Sequence, residues 1–193
     1  MSLLSIENLT HYFGGLRAVY DFSLELEPGE LVAIIGPNGA GKTTVFNLIT
    51  GVYRPTEGQI VFRDKNLIGL QTHEIISRGI ARTFQTIRLF KELTVLDNVR
   101  IAHYTRAGYT PWEAILRLPR FTRQEEQVRQ EALELLNIFG MADLAEVTSK
   151  NLPYGQQRRL EIARALATRP TLLLLDEPAA GMNPAETDTL MEL

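Results

Sequence analysis

The sequence predicts an α/β fold: a mixed or parallel sheet with helices, an N-terminal antiparallel β portion and a separate helical portion. Phe22, Leu24 and Leu26 alternate with polar residues, which is the pattern of a half-buried strand. Residues 31–35 and 172–175 are apolar at every position, as in strands that are covered on both faces. Between residues 94 and 152, apolar residues recur at helical spacing. Strand and helix patterns that follow one another in this way indicate helices packed on a sheet.

The composition excludes several classes of protein. The chain has 193 residues, of which 45% are hydrophobic and 22% charged, values typical of a soluble globular domain rather than a disordered chain. Lys and Arg total 20 against 23 Asp and Glu, and this acidic balance argues against a nucleic-acid partner. The absence of cysteine excludes disulfides and thiolate zinc sites. The three histidines are widely spaced, so we expect surface residues and not a metal cage.

No segment has the length or the pattern of a membrane span. A bilayer helix needs about 20 mostly apolar residues, and the longest apolar runs here are the short ones at 31–35 and 172–175. The N-terminus lacks the basic and then apolar segments of a signal peptide. We therefore expect a protein inside the cell that is soluble when isolated and reaches a membrane only through a partner.

Capping residues predict where the helices begin. The predicted starts are Lys42 after a glycine-rich loop, Thr94 with Asp97, Thr122 with Glu125, Gln156 after Gly155, and Asn183 with Pro184 and Glu186. The first of these helices is predicted to end at Gly51. Residues 104–121 mix arginines with aromatic residues, and we interpret them as a solvated helical insertion rather than a nucleic-acid contact.

Residues 36–43 fit the phosphate-binding pattern G-x-x-x-x-G-K-[ST] in full. The pattern lies between a predicted strand and a predicted helix, which is the context that its mechanism requires. Glycines let successive backbone N–H groups converge on phosphate oxygens, and the helix N-terminus adds a positive dipole. We expect Lys42 to reach the β- and γ-phosphates and the Thr43 hydroxyl to bind Mg²⁺.

Two acids follow the second apolar run. Asp176 and Glu177 lie at the carboxyl end of the predicted strand 172–175, where ligands gather in open α/β sheets. We expect Asp176 to hold Mg²⁺, largely through its waters, and Glu177 to accept a proton from an attacking water.

Further motifs resemble the ATP-binding cassette of ABC transporters. Residues 152–159, Leu-Pro-Tyr-Gly-Gln-Gln-Arg-Arg, are similar to the family signature, and residues 82–85, Arg-Thr-Phe-Gln, match its Q-loop. Phe13 stands where the family stacks an aromatic ring on adenine, with Tyr12 as the alternative, and residues 180–183 occupy the D-loop position. The order and spacing of these motifs match over essentially the whole chain.

The resemblance implies a P-loop ATPase fold with ATP and Mg²⁺ as ligands. We expect one domain, with residues 1–90 and 156–193 in the β and P-loop core and residues 91–155 in a helical subdomain. The expected ATP-binding residues are Phe13, Gly36, Pro37, Asn38, Gly39, Ala40, Gly41, Lys42, Thr43 and Thr44. The expected catalytic residues are Glu177, Lys42 and Gln85, and the expected Mg²⁺ ligands are Thr43, Gln85 and Asp176.

The same resemblance implies a head-to-tail dimer of cassettes. Residues Leu152, Pro153, Tyr154, Gly155 and Gln156 would act on the ATP of a second, identical or paralogous subunit, and Asn183 would serve in the D-loop. The amino-acid sequences of these motifs are similar to those of the LivG-type subunits of branched-chain amino-acid importers. The implied partners are therefore a transmembrane permease and, indirectly, a substrate-binding protein, at the cytoplasmic face of the membrane.

The sequence departs from the family pattern at three places. Pro153 and Tyr154 replace the usual Ser and Gly, and Asn183 replaces the usual Asp. The family has a switch histidine on a further strand, and His11, His73 and His103 are not in that position. We therefore expect a C-terminally incomplete cassette. Alternatives are a nucleotide-binding module with little turnover, a non-transport ABC ATPase and, least compatible with the signature, a P-loop kinase.

Overall fold

The computed structural model describes residues 2–104 and 110–191, and the chain divides into two compact units, residues 1–80 and 81–193. The first unit contains an antiparallel sheet with the strand order β2-β1-β3-β4. Its strands are β1 (Leu4–Phe13), β2 (Leu16–Leu26), β3 (Glu57–Phe62) and β4 (Lys65–Asn66). Its helices are α1 (Lys42–Ile49) and α2 (Thr72–Ser77).

The predicted N-terminal β portion is confirmed. Phe22, Leu24 and Leu26 in β2 are less exposed than the polar residues between them, because successive side chains of a strand point to opposite faces. Leu4, Ile6 and Leu9 of β1 are at most 1% exposed and form part of the core of this unit with Ile60 and Phe62. The alternating pattern in the sequence therefore identified the face that packs on the core.

Helix α1 follows the glycine-rich loop as predicted. It buries Val45, Leu48 and Ile49 on one face. It ends at Thr50, and Gly51 follows with a φ of 71°. A Cβ at Gly51 would lie 2.9 Å from the Leu70 carbonyl oxygen, so both backbone angle and space favour glycine at this helix end.

The predicted strand at residues 31–35 is wrong. These residues form no strand and belong to neither sheet of the described chain. Leu31 and Ile35 are 97% and 90% exposed. An apolar run favours a strand that is covered on both faces. A strand also needs a neighbouring strand that forms hydrogen bonds with its N–H and C=O groups. Within the described residues no such neighbour lies beside this segment.

The second unit combines a strand pair with a helical core. Strand β5 (Ile80–Arg82) opens it and pairs with β6 (Leu172–Leu174). Strand β6 ends one residue before the predicted strand 172–175. Leu172 and Leu174 are buried and Leu173 is half-buried, so β6 is covered more on one face than on the other. The helices are α3 (Val95–His103), α4 (Pro111–Ile115), α5 (Pro119–Ile138), α6 (Tyr154–Ala167) and α7 (Pro184–Met191).

Helices α3, α5 and α6 form the helical core that the 3.6-residue periodicity predicts. Its most completely buried members are Val95, Val99, Ala132, Leu136, Met141, Leu160 and Ala163, each 0% exposed. Thr94 caps α3 as predicted, since its side chain accepts a hydrogen bond from the Asp97 N–H.

The predicted helix start at Thr122 is wrong. Helix α5 begins at Pro119, and Thr122 lies inside it, donating its hydroxyl to the Leu118 carbonyl at 3.4 Å. Proline suits the first helical position because its φ is fixed and the missing N–H has no intrahelical acceptor there. The helix therefore begins at Pro119, three residues before the start that Thr122 and Glu125 predicted.

No helix in residues 2–104 and 110–191 is both long and apolar enough to cross a bilayer. The arginine-rich and aromatic stretch at 104–121 contributes α4 and the first residues of α5. Residues 105–109 of that stretch lie outside the described part of the chain.

Candidate functional site

The glycine-rich loop lies in the first unit, immediately before α1. Gly39 and Gly41 have φ values of 83° and 86°, a region that side chains other than glycine rarely adopt. A Cβ at Gly41 would also collide with the Ala18 carbonyl oxygen of β2. The loop can therefore curl in this way only with glycine at that position, as the phosphate-binding pattern requires.

The Lys42 ammonium lies against the loop. Its Nζ donates to the carbonyl oxygens of Gly36 at 2.7 Å and Pro37 at 3.0 Å. Neutral carbonyls are weaker partners for an ammonium than phosphate oxygens. The residues thus fit a polyphosphate, which would offer the ammonium a stronger acceptor than the carbonyls it now contacts.

The N-terminus of α1 also fits an anion. Gly41 precedes the helix without a side-chain cap, and the first turn contains no acidic residue. The first N–H groups of a helix have no intrahelical acceptor, and the helix dipole is positive there. Thr43 and Thr44 lie in this first turn and are half-buried. Both contribute hydroxyl oxygens at this positive end of the helix.

Phe13 belongs to a cluster of three rings in the first unit. Its ring meets those of His11 and Tyr53 edge-on, with centroids 4.7 and 5.1 Å apart, and His11 stacks on Tyr53 at 5.7 Å. Phe13 remains 43% exposed, so two rings support it while much of its surface stays open. That arrangement fits a side chain that stacks on a flat base.

The prediction that the histidines are surface residues is wrong for two of the three. His11 is only 9% exposed, within the ring cluster. The His103 side chain is 10% exposed, and its Nδ1 lies 3.4 Å from a Glu131 carboxylate oxygen. His11 lies in β1 and His103 at the end of α3, and both of these elements bury apolar residues of the core. His73 is exposed as predicted.

In the second unit, Asp176 is the acid that the strand end buries. Its Oδ2 accepts a hydrogen bond from Arg82 Nη2 at 2.9 Å, and the two side chains are 3% and 4% exposed. A buried carboxylate is tolerated only with such a partner. Arg82 comes from β5, so the strand pairing of β5 and β6 brings the two charges together.

Glu177 and Gln85 meet in the same unit, although 92 residues separate them. Gln85 Nε2 donates to Glu177 Oε2 at 3.0 Å. Glu177 is partly exposed and has a φ of 47°, which is unusual for a residue with a side chain. Two residues with predicted roles in hydrolysis are therefore in direct contact, and the strained backbone lies at one of them.

The signature segment forms the start of α6. The helix begins at Tyr154 with Pro153 as its N-cap, two residues earlier than the predicted start at Gln156. Tyr154 Oη donates to the Ala180 carbonyl at 3.0 Å. The Glu186 carboxylate lies against Gly155, where a Cβ would collide with it. Both contacts link the signature to the segment after β6.

Asn183 caps α7 as predicted. Its side-chain oxygen accepts from the Glu186 N–H at 2.9 Å, and Glu186 Oε2 accepts from the Asn183 N–H at 2.9 Å. This reciprocal pair is a capping box. It fixes the Asn183 side chain within its own turn.

The predicted Mg²⁺ ligands offer a hydroxyl, an amide oxygen and a carboxylate, which are the hard oxygen donors that Mg²⁺ prefers. Thr43 belongs to the first unit, whereas Gln85 and Asp176 belong to the second. Within residues 2–104 and 110–191, no group of three or more His, Asp or Glu side chains could hold a metal by itself. The joint assignment of Thr43, Gln85 and Asp176 to one magnesium ion stays a prediction.

Sequence patterns missed several residues around the site. Arg82 and Arg158 are buried ionic residues beside the strand-end acids, and His11 and Tyr53 support Phe13. The two arginines lie within the recognised Q-loop and signature segments, but nothing in their spacing indicates which groups they contact.

Comparisons with known proteins agree with this arrangement. Residues 19–180 match the model of the ABC transporter family. The chain is 48% identical over 191 residues to the high-affinity branched-chain amino acid transport ATP-binding protein LivG of Escherichia coli (strain K12), covering 99% of this chain and 75% of that protein.

Solved structures are also similar. The ADP conformation of an ATP-binding cassette of an ABC transporter has a TM-score of 0.82 and 34% identity, covering 100% of this chain and 75% of that one. A dimeric post-hydrolysis state of another cassette, bound to ADP and Pi, has a TM-score of 0.79 and 29% identity, with coverages of 98% and 80%. The family match over most of the chain, the LivG likeness and the shared fold lead to one conclusion: this chain belongs to the ABC transporter family.

Proposed function

We propose that this chain is the ATP-binding and ATP-hydrolysing subunit of an importer of branched-chain or related amino acids, working through a separate permease. The 48% identity to LivG over 99% of the chain supports the transport assignment. The single observation that carries hydrolysis is the 3.0 Å contact between Gln85 and Glu177 at the end of β6.

The first unit binds the triphosphate. Lys42 exchanges its two carbonyl contacts for oxygens of the β- and γ-phosphates. The backbone amides of the loop and of the N-terminus of α1 bind the remaining phosphate oxygens. Phe13, supported by His11 and Tyr53, stacks on adenine. These contacts involve the ground state of the nucleotide, so their loss weakens binding before it affects chemistry.

The second unit activates water. The Glu177 carboxylate accepts a proton as the water oxygen forms its bond to the γ-phosphorus and the bond to the ADP oxygen breaks. Gln85 orients the carboxylate or the water through its amide. Thr43, Gln85 and Asp176 would hold Mg²⁺, which when bound neutralises charge on the phosphate oxygens.

A second cassette completes each site. The start of α6 has no side-chain cap, so its N–H groups and dipole suit a phosphate of a partner's ATP. The dimeric cassette with ADP and Pi supports an arrangement of two subunits. In this proposal ATP joins the subunits and hydrolysis releases them, which links nucleotide turnover to movement of the permease.

Glu177→Gln tests the proposal. Removing the base lowers phosphate release by about 100-fold or more, as expected for loss of a general base, while the Mg-ATP dissociation constant stays within about threefold. Gel filtration with ATP should then show a trapped dimer. Glu146→Gln is the control, because Glu146 is an exposed glutamate outside the motifs.

Calorimetry separates the alternatives. Heat on addition of Mg-ATP without phosphate release from the unaltered chain would indicate a nucleotide-binding module with little turnover. No heat at all with the folded chain would contradict both functions.

A further inference from the structure

Arg158 of α6 is a buried cation that holds the end of β6. Its side chain is 1% exposed. Nη2 donates to the carbonyl oxygens of Asp176 at 2.7 Å and Glu177 at 2.9 Å, and Nε donates to that of Pro178 at 3.1 Å. Three consecutive carbonyl groups therefore point at one guanidinium, which fixes the backbone that presents the two strand-end acids.

The same guanidinium also holds the Q-loop segment. Nη1 donates to the Phe84 carbonyl and, at 2.6 Å, to Glu161 Oε2. Glu161 Oε1 in turn accepts from the Arg88 N–H at 3.1 Å. Arg158 and Glu161 therefore bind the backbone on both sides of Gln85, at Phe84 before it and at Arg88 after it.

Every donor of the guanidinium is used. An arginine side chain has five N–H donors in a rigid plane, and Arg158 directs them to four backbone carbonyls and one carboxylate. Such a complete set exceeds what burial of an ion pair requires, because Glu161 alone balances the charge. The remaining four bonds specify the positions of two chain segments.

Glu177 is the residue that most needs this support. Its φ of 47° lies in the left-handed region, which non-glycine residues leave readily unless their surroundings hold them. Its carbonyl is bound to Arg158, and its carboxylate is bound to Gln85. Because one cation holds the backbones of both segments, it sets the separation between the Gln85 amide and the Glu177 carboxylate.

We propose that Arg158, balanced by Glu161, is a positioning residue that fixes the Gln85–Glu177 contact and links it to the start of α6. Arg158 lies one helical turn after Tyr154, where α6 begins. A displacement of that helix moves the guanidinium and, with it, the backbone of both segments. The inference rests on the proposed hydrolytic function, in which Gly155 at the same helix start meets the partner's ATP.

Arg158→Lys tests the inference. Lysine keeps the charge but has three donors on a compact ammonium, so it cannot bind five acceptors in a plane. We expect kcat for ATP hydrolysis to fall at least about tenfold, as small misplacements of reacting groups do, with the Mg-ATP dissociation constant within about threefold. Arg129→Lys, the same change at an exposed residue of α5, should alter both by less than about twofold.

Hydrogen exchange supplies a readout that does not depend on turnover. In nucleotide-free Arg158→Lys, the amides of residues 84–90 should exchange at least about tenfold faster, whereas those of α5 keep the rates of the unaltered chain. If Arg158→Lys does not fold, Glu161→Gln preserves the volume and should give the same local pattern to a smaller degree.

The two failures are distinguishable. Equal acceleration across α3, α5 and α6, or parallel losses of kcat and ATP affinity, would show that Arg158 only stabilises the fold and would overturn the inference. An unaltered chain that releases no phosphate would refute the proposed hydrolysis, and the exchange pattern would still decide whether Arg158 holds residues 84–90.

Discussion

The phosphate loop of the first unit and the strand-end acids of the second are built on opposite principles. Residues 36–40 are exposed, and the Lys42 ammonium donates to two backbone carbonyls of its own loop. The ion pairs Arg82–Asp176 and Arg158–Glu161 are almost wholly buried, with side chains 1–4% exposed. A site made of contiguous backbone can remain open to its ligand, whereas a site made of side chains from distant segments depends on burial to hold its geometry.

This difference separates binding from stability. Changes in the loop should weaken nucleotide binding without unfolding the protein, because few tertiary contacts depend on it. Removal of the charge of one partner in a buried ion pair should lower the free energy of unfolding, because the remaining buried charge loses its counter-ion. Four substitutions measure how sharp that separation is.

Arg82→Met should have the largest effect. It leaves the Asp176 carboxylate buried without the Arg82 guanidinium, and we expect the free energy of unfolding in urea to fall by about 3–5 kcal/mol. Arg54→Met is the matched control, since Arg54 is exposed, and should change it by less than about 0.5 kcal/mol. Equal losses in the two variants would contradict the contrast.

Lys42→Ala should lower the affinity for Mg-ATP by about 100-fold or more, because the ammonium makes charge-assisted bonds to phosphate oxygens. Calorimetric titration measures this loss. The unfolding free energy should stay within about 0.5 kcal/mol, as for the exposed control Lys65→Ala, which should also retain affinity. An unchanged affinity in Lys42→Ala would refute the assigned phosphate site.

Glu131→Gln should have a small effect that depends on pH. A hydrogen bond from Gln127 lowers the pKa of Glu131 below its ordinary value of 4.5, opposed by burial and assisted by Arg169 and His103. A lowered folded-state pKa stabilises the fold above the ordinary value, and the contribution disappears as the pH falls through the folded-state pKa.

Urea unfolding at several pH values tests this sign. Glu131→Gln should lose less than about 1 kcal/mol at pH 7 and converge with the unaltered chain as the pH falls below the folded-state pKa of Glu131. Glu134→Gln, at an exposed position of the same helix, should show no such convergence because it starts with no loss. A loss that grows as the pH falls would contradict the stated cause.

Ile35→Ser should have the smallest effect. Ile35 is 90% exposed, so its replacement should change the unfolding free energy by less than about 0.5 kcal/mol. Leu136→Ala in the helical core, at 0% exposure, should cost about 2–5 kcal/mol. A loss of 2 kcal/mol or more at Ile35 would place residues 31–35 in a covered strand, as the apolar pattern first indicated.

Much of the fold and part of the site could be predicted from the sequence. The alternation in β2, the loop before α1 and the caps at Thr94 and Asn183 were predicted and are present. The family was also identified from its motifs and is confirmed. The predicted strand at 31–35 was wrong, because no strand in the described residues pairs with it. The predicted helix start at Thr122 was wrong, because Pro119 occupies the first helical position.

What the sequence by itself determined are features whose interactions close within a few residues: helix caps, the glycine-rich turn and the faces of strands and helices. Tertiary structure decided which side chains meet. Arg82 and Asp176 are 94 residues apart, and Gln85 and Glu177 are 92 apart. Such contacts exist only after β5 pairs with β6 and α6 packs beside them, since burial and strand pairing, rather than local preference, bring those charges within bonding distance.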